Sequence, residues 1–155
     1  MIREANHRDA IRISEIVSGC YRNYEITDNY SHASVEKVIE KRGSEESINS
    51  LIENESVFIF SRNEDIVGVI SLKQNEITKL YVEFDFQKQG VGTLLFRHAE
   101  SIIRENGFTT LMLGVAAPTA VAFYEKMGMH ISETRESNCG PSKGRQATIM
   151  KKSLV

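Results

Sequence analysis

A chain of 155 residues, 41% hydrophobic and 26% charged, has the composition of an ordinary globular protein and the length of one domain, here spanning residues 1–155. Nineteen Lys and Arg against twenty-one Asp and Glu leave a formal charge of -2, which argues against a duplex-wide nucleic-acid footprint and against a polybasic membrane anchor. No apolar run approaches the ~20 residues of a bilayer-spanning helix, and MIREANHRDAIR has charges where a secretory signal needs an apolar stretch. Cys20 and Cys139 lie far apart and His7, His32, His98 and His130 are scattered, so no metal site is expected and the compartment is read as reducing and cytoplasmic.

In chain order, MIREAN reads as a short strand, and HRDAIRISEIVSGCY follows with Ile11, Ile13, Ile16, Val17 and Cys20 at roughly helical spacing. Tyr21 to Asn54 is polar and broken, with a helical stretch SVEKVIEKR for which Ser34 is the expected N-cap. SVFIFSR and IVGVISLK, joined through NED, predict an antiparallel hairpin, and NEITKLYVEF a third strand reached by a turn at Gln74 and Asn75. The turn DFQKQGVG then opens a helix with apolar residues at Leu94, Leu95, Ala99, Ile102 and Ile103, stopped by Gly107.

FTTLMLGV resumes as a strand, and PTAVAFYEKMG is a helix with Pro118 in its first turn and Gly128 at its end. Strand, helix and strand at this spacing imply a parallel pair. MHISETR and ATIMKKSL close the chain as strands around a polar loop containing Gly140, Pro141 and Gly144. The expected fold class is α/β (α+β), with a single mixed, mostly antiparallel sheet of six to seven strands flanked by about four helices.

Gln87 to Thr93 joins a hydrophobic strand to a helix, which gathers unpaired backbone N–H groups and the positive end of a helix dipole at one point. Gly90 and Gly92 lack Cβ, so the backbone can take left-handed dihedrals there and approach an anion closely, with Lys88 a further source of charge at the rim. The Rossmann pattern is incomplete, because Leu94 and Leu95 stand where a third glycine belongs, and no Gly-Lys-Ser/Thr of a Walker A loop follows. On local pattern alone the turn serves equally well as a tight connection without a ligand.

ITKLYVEFDFQKQGVGTLLFRHAESIIRENG, followed by LMLGVAAPTAVAFYEKMGM, resembles the GCN5-related N-acetyltransferases, the GNAT superfamily. The resemblance runs from about Glu76 to Met129, and Gln87, Gly90 and Gly92 occupy the defining positions of that family's pyrophosphate-binding turn. It implies a splayed parallel strand pair, acetyl-CoA as co-substrate, and cofactor contacts from the main chain of Leu80 and Val82 and from Gln87, Lys88, Gln89, Gly90, Val91, Gly92 and Thr93. It also implies acetyl transfer to a primary amine of a small molecule or peptide, and brings a homodimer into view because members are often dimeric. This chain departs from the family at Phe84, where a proline is frequent, at Ala116 and Ala117 in place of an asparagine, and at Met129 in place of phenylalanine.

Acetyl transfer needs a neutral amine, a stabilised oxyanion and a proton for the departing thiolate. By the resemblance Glu76 is the general base, sharing by strand alternation the face of Thr78, Leu80 and Val82 unless a bulge intervenes. Glu83, on the other face, and water are the alternatives, and a solvated glutamate at a hairpin end accounts for Glu76 as well. Tyr124 matches the family's general acid, against a plain reading as a helix tyrosine packed beside Phe123, and the Leu80 N–H matches the oxyanion donor. Cys20 and Cys139 are read as buried or incidental thiols, and His98 as a surface or packing residue.

The family usually builds its acceptor site from the first helices and the loop between the last strands, here about Tyr21 to Ser56 and Thr134 to Arg145. Tyr21, Tyr24, Glu25, Asp28, Tyr30 and His32 would receive an ammonium group by charge and ring-face contacts, though a solvated loop explains them equally. Two rivals remain at this stage: a CoA-binding sensor without chemistry, and an α/β nucleotide-binding domain using the turn for ATP or a dinucleotide.

Overall fold

The computed structural model describes residues 1–115, 117–136 and 146–155. β1 (Ile2–Glu4) leads into α1 (Ala10–Thr27) through a short turn in which the Asn6 side chain accepts from the Arg8 N–H and Asp9 accepts from the Asn6 N–H, a reciprocal cap. α2 (His32–Val38) follows, then a single π-helical turn over Ile39–Gly43 and α3 (Glu45–Asn54). Ser31, rather than Ser34, caps α2: its hydroxyl accepts the Ser34 N–H at 3.2 Å. The broken polar pattern of this region thus conceals two short helices and a π turn, and among the described residues five α-helices flank the sheet where about four were expected.

β2 (Ser56–Arg62) and β3 (Asp65–Lys73) form the predicted hairpin, joined by Asn63 and Glu64 at φ of 53° and 66°. Two successive left-handed residues give a turn whose twist matches that of the strands. β4 (Glu76–Val82) returns through Gln74, also left-handed, and α4 (Val91–Glu105) ends at Asn106 and the left-handed Gly107. β5 (Thr110–Val115), α5 (Pro118–Lys126), β6 (His130–Glu136) and β7 (Gln146–Ser153) complete the chain.

The sheet order is β1-β2-β3-β4-β5-β7-β6, with β4 and β5 parallel and every other pair antiparallel. Apolar side chains on both faces bury it. Phe58, Ile70, Leu72, Leu95, Phe96, Ile103, Leu111 and Met150 pack on the face covered by α4 and α5, while Ile13, Val17, Ile48, Ile59 and Val69 pack on the face covered by α1 to α3. Each such side chain contributes about 1.5–3 kcal/mol of burial, so the two layers hold the sheet from both sides.

Leu94 departs from the expected apolar stripe of α4: it is 50% exposed, and Phe96, absent from that expectation, is fully buried in its place. Among the described residues no helix is long and apolar enough to cross a membrane. Ala116, Cys139 and the loop with Gly140, Pro141 and Gly144 lie outside the described residues.

Candidate active site

β4 and β5 meet at one register pair, Glu76 with Met112, fastened by the Met112 N–H to the Asn75 carbonyl (3.0 Å) and the Asn75 side-chain amide to the Thr110 carbonyl (2.9 Å). No further pairing holds them, so the groups of β4 that face β5 beyond Glu76 have no strand partner. Into this gap opens a cavity of about 290 Å³ lined by Ile77–Tyr81 of β4, Leu113–Val115 of β5, Val38, Arg42, Ala117, Ala120 and Ala147. All five tyrosines of the chain, Tyr21, Tyr24, Tyr30, Tyr81 and Tyr124, stand in its wall. Sequence reasoning had singled out four of them; Tyr81 was passed over because one aromatic in a buried strand carries no signal of its own.

β4 is not regular. Its register with β3 steps from Lys79 opposite Ser71 to Ile77 opposite Leu72, which leaves Thr78 as an extra, bulged residue. The bulge reverses the alternation: Ile77 and Leu80 both pack on the α4 side, while Tyr81 packs on the α1 side. Glu76 therefore does not share the face of Leu80, as plain alternation had suggested, but points by its position next to Ile77 towards the α1 to α3 side. Thr78 is tied to the Ser71 hydroxyl (2.7 Å) and to the Glu55 carboxylate, which fixes the bulge in place.

At the other end of β4 lies the glycine turn. Lys88 (φ 61°) and Gly90 (φ 88°) are both left-handed, and Gly90 caps α4 with no side-chain hydrogen bond to the helix end. The first bond of the helix runs from the Leu94 N–H to the Gly90 carbonyl (3.0 Å), so the N–H groups of Val91, Gly92 and Thr93 precede every acceptor in the ladder. A Cβ on Gly90 would meet nothing within 4 Å, so the space above the turn is open.

Of the two glycines only Gly90 uses the left-handed freedom open to both; Gly92 is helical, and its missing Cβ serves packing, since a Cβ there would stand 3.3 Å from Cζ of Phe123. Gln87 and Gln89, both exposed, brace the turn. The Gln87 amide donates to the Val82 carbonyl (2.9 Å), and Gln89 donates to the Asp85 carbonyl (3.0 Å) while accepting from Arg62 (2.8 Å). Val91 is buried, and Lys88 is exposed at the rim.

Tyr124 projects from α5 against Phe123 and Phe96, with ring centroids 5.1 and 6.3 Å away, and burial alone pushes its phenol well above the usual tyrosine value. Its backbone is pinned where the helix ends, since the Tyr124 carbonyl accepts from the N–H groups of Met127 (3.0 Å) and Met129 (3.1 Å). The packing role and the place in the cavity wall are thus both met by the same side chain.

Several other candidates are engaged elsewhere. Glu83 accepts from Arg12 (2.7 Å), which also bonds Asp65 (3.1 Å). Glu25 pairs with His32 (2.8 Å), and Asp28 accepts from the Thr119 hydroxyl (3.2 Å), so neither carboxylate stands in the cavity wall. The Cys20 thiol lies against the Val82 carbonyl (3.3 Å) and is pushed up to about 12, chiefly by burial, which keeps it an unreactive thiol at neutral pH. His98 packs edge-on against Phe58 with centroids 4.6 Å apart.

A sheet parted at one parallel pair, beside a helix N-terminus without a side-chain cap, sets the class of small α/β domain to which the chain is compared. Residues 26–154 match the family model described as the acetyltransferase (GNAT) domain, and the chain belongs to that family. It is 29% identical over 83 residues to the ribosomal protein bS18-alanine N-acetyltransferase of Escherichia coli strain K12, a stretch covering 52% of this chain and 56% of that protein. The chain thus spans about half the length of the curated relatives it matches.

Among solved structures, a GCN5-related N-acetyltransferase from Rhodopseudomonas palustris, also described as an aminotransferase of class II, superposes with a TM-score of 0.89 at 23% identity, over 99% of this chain and 95% of that one. The PaiA N-acetyltransferase of Thermoplasma acidophilum, in complex with coenzyme A, does so with a TM-score of 0.84 at 20% identity, over 99% and 98%. At these identities the likeness is one of fold.

Proposed function

We propose that this protein transfers an acetyl group from acetyl-CoA directly to the primary amine of a small molecule or peptide. The observation that carries the reading is the alignment of two features along β4: an anion-ready helix end at Val91 to Thr93, and strand groups with no strand partner leading from it into a cavity lined by the half-buried Tyr124. The residues fit the coenzyme in kind. Open space over Gly90 and three N–H groups suit a pyrophosphate, and the edge of β4 near Leu80 and the Val82 N–H, which no strand pairs, suits an amide-bearing pantetheine that would lie along it as an added strand.

Acetyl-CoA supplies the activated thioester; the chain supplies position and protons. The Leu80 main-chain N–H donates to the carbonyl oxygen as negative charge develops there. Tyr124, held protonated by burial across the neutral range, donates to the departing sulfur. The acceptor enters as an ammonium group and loses its proton, through water on the α1 to α3 side, to Glu76, the carboxylate adjoining the cavity-lining run Ile77–Tyr81 and the general base of this reading. Direct transfer needs no acyl-enzyme, in keeping with the inert Cys20.

The reading is tested by thiol release from acetyl-CoA over a panel of primary amines. Transfer to at least one amine supports it, and Glu76→Gln should then depress the rate mainly at low pH, where deprotonation is hardest. An unmoved pH profile removes Glu76 as the base. Tight CoA binding with no transfer to any amine makes the protein a coenzyme sensor instead, and tight binding of ATP or NAD without CoA overturns the reading altogether.

A further inference from the structure

We propose that the Thr78 hydroxyl binds the acceptor amine, taking one of its N–H groups on a lone pair that Ser71 and Glu55 leave open. The inference rests on the acetyl-transfer reading above and names the side chain that orients the nucleophile at that site. Thr78 is the extra residue of the β4 bulge, half-buried, and it lines the cavity, whereas Ser71 and Glu55 stand behind the wall. A bulge re-aims a side chain, and this one lies two residues past Glu76, where β4 has already parted from β5.

Donor and acceptor counting fixes the direction of both Thr78 bonds. A carboxylate only accepts, so the single Thr78 proton goes to Glu55. Thr78 then has no proton for Ser71, and the fully buried Ser71 hydroxyl is the donor in the 2.7 Å bond between them. The Thr78 oxygen has two lone pairs: Ser71 takes one, and no other bond among the described residues reaches the second. Thr78 therefore presents an acceptor to the cavity and never a donor, which matches an amine N–H and mismatches a carbonyl or carboxylate oxygen.

Glu55 reinforces this choice by charge. It closes α3, its N–H donating to the Leu51 carbonyl (2.9 Å), at a helix end where the dipole favours a cation and a carboxylate is locally out of place. One hydrogen bond behind Thr78, that carboxylate draws an ammonium group to the same oxygen. Once the proton has left through water to Glu76, the hydroxyl still holds one N–H of the neutral amine and leaves the nitrogen lone pair free for attack on the thioester.

The test measures kcat and KM for both substrates, using whichever of 2-phenylethylamine, 1,5-diaminopentane and lysine methyl ester is acetylated fastest. Thr78→Val, nearly equal in shape, should raise the amine KM by about tenfold or more while the acetyl-CoA KM stays within about twofold, and Thr78→Ser should restore the amine KM to within about threefold. Should Thr78→Val not fold, Glu55→Gln decides: loss of the charge, or donation by the new amide to the open lone pair, raises the amine KM alone. An amine KM unmoved by these substitutions, with acetyl transfer intact, overturns this inference and leaves the acetyl-transfer reading standing. So does an equal rise in both KM values, which makes Thr78 a residue that holds the bulge alone. Absence of transfer to every primary amine overturns the acetyl-transfer reading and this inference with it.

Discussion

Gly92 in the first turn of α4 faces Phe123 of α5 so closely that a Cβ on the glycine would stand 3.3 Å from the ring. The contact joins the anion-ready helix end to the helix that carries Tyr124, so the two halves of the proposed site are set against each other by one missing methyl group. Gly92→Val should overpack this contact at a cost of about 1–3 kcal/mol, lowering Tm by roughly 3–10 °C. Thermal unfolding measures the loss, and the KM for acetyl-CoA should rise in parallel because the helix end is displaced. A variant as stable as the original would show that Phe123 yields freely.

Gly90 has a different dependence. Its φ of 88° is reached at a cost of about 1–2 kcal/mol by a residue with a side chain, yet nothing in the protein stands within 4 Å of the added Cβ. Gly90→Val should therefore remain folded while a β-branched side chain occupies the space over the helix end. Titration calorimetry should show CoA affinity at least tenfold weaker, and unchanged affinity would take the turn out of the binding site.

Tyr124→Phe keeps the ring against Phe96 and Phe123 and removes only the hydroxyl. A lost general acid reduces kcat by about 10²-fold or more, and CoA affinity should stay within about twofold of the original. Stopped-flow detection of thiol release against calorimetric Kd separates the two quantities. Equal loss in both would make Tyr124 a packing residue alone.

Far from the cleft, Asp9 accepts two hydrogen bonds from Arg3 (2.8 and 2.9 Å) and one from the Asn6 N–H (2.9 Å), and the Arg3 contacts, more than the backbone one, hold its carboxyl below the usual range. A depressed folded pKa stabilises the protein above the unfolded value near 3.9, and that contribution is lost as pH falls through the folded value. Asp9→Asn should cost about 1–2 kcal/mol at pH 7, moderated by the exposure of Arg3 to solvent, and the gap should narrow by pH 3. Urea denaturation at the two pH values checks the sign.

How much of this was legible in the sequence depends on what each segment's signal was made of. The hairpin, the third strand and the two helices after it were readable because their side-chain periods are strong and their ends are marked by Asn63, Pro118, Gly107 and Gly128. α2 was readable only in part, as the helical stretch SVEKVIEKR without its true start or the π turn that follows, and α3 was not, because seven- and ten-residue helices flanking a π turn show too few periods against a polar background. The glycine turn was legible as a motif, but the division of labour within it was not. Gly90 supplies conformation and Gly92 supplies space for Phe123, and a contact between residues so distant in sequence leaves no local pattern.

The same limit explains Glu76 and the acceptor residues. Alternation along β4 is a local rule, and the bulge at Thr78 that breaks it depends on Ser71 and Glu55 from other elements. Tyr21, Tyr24 and Tyr30, read as candidate acceptor residues, line the cavity, whereas Glu25 and Asp28, taken with them for an ammonium site, bond His32 and Thr119. Arg42 and Lys79 also line the cavity and drew no notice, since a charged residue in a polar helix or strand reads as solvated until the fold brings it to a cavity.

The most direct test of the account is a crystal structure with bound coenzyme A. The pyrophosphate oxygens should lie about 3 Å from the N–H groups of Val91, Gly92 and Thr93, with the pantetheine along β4 and the sulfur in the gap beside Leu80 and Tyr124. A coenzyme seated elsewhere, or a helix end closed by a side chain while the coenzyme is bound, would contradict it.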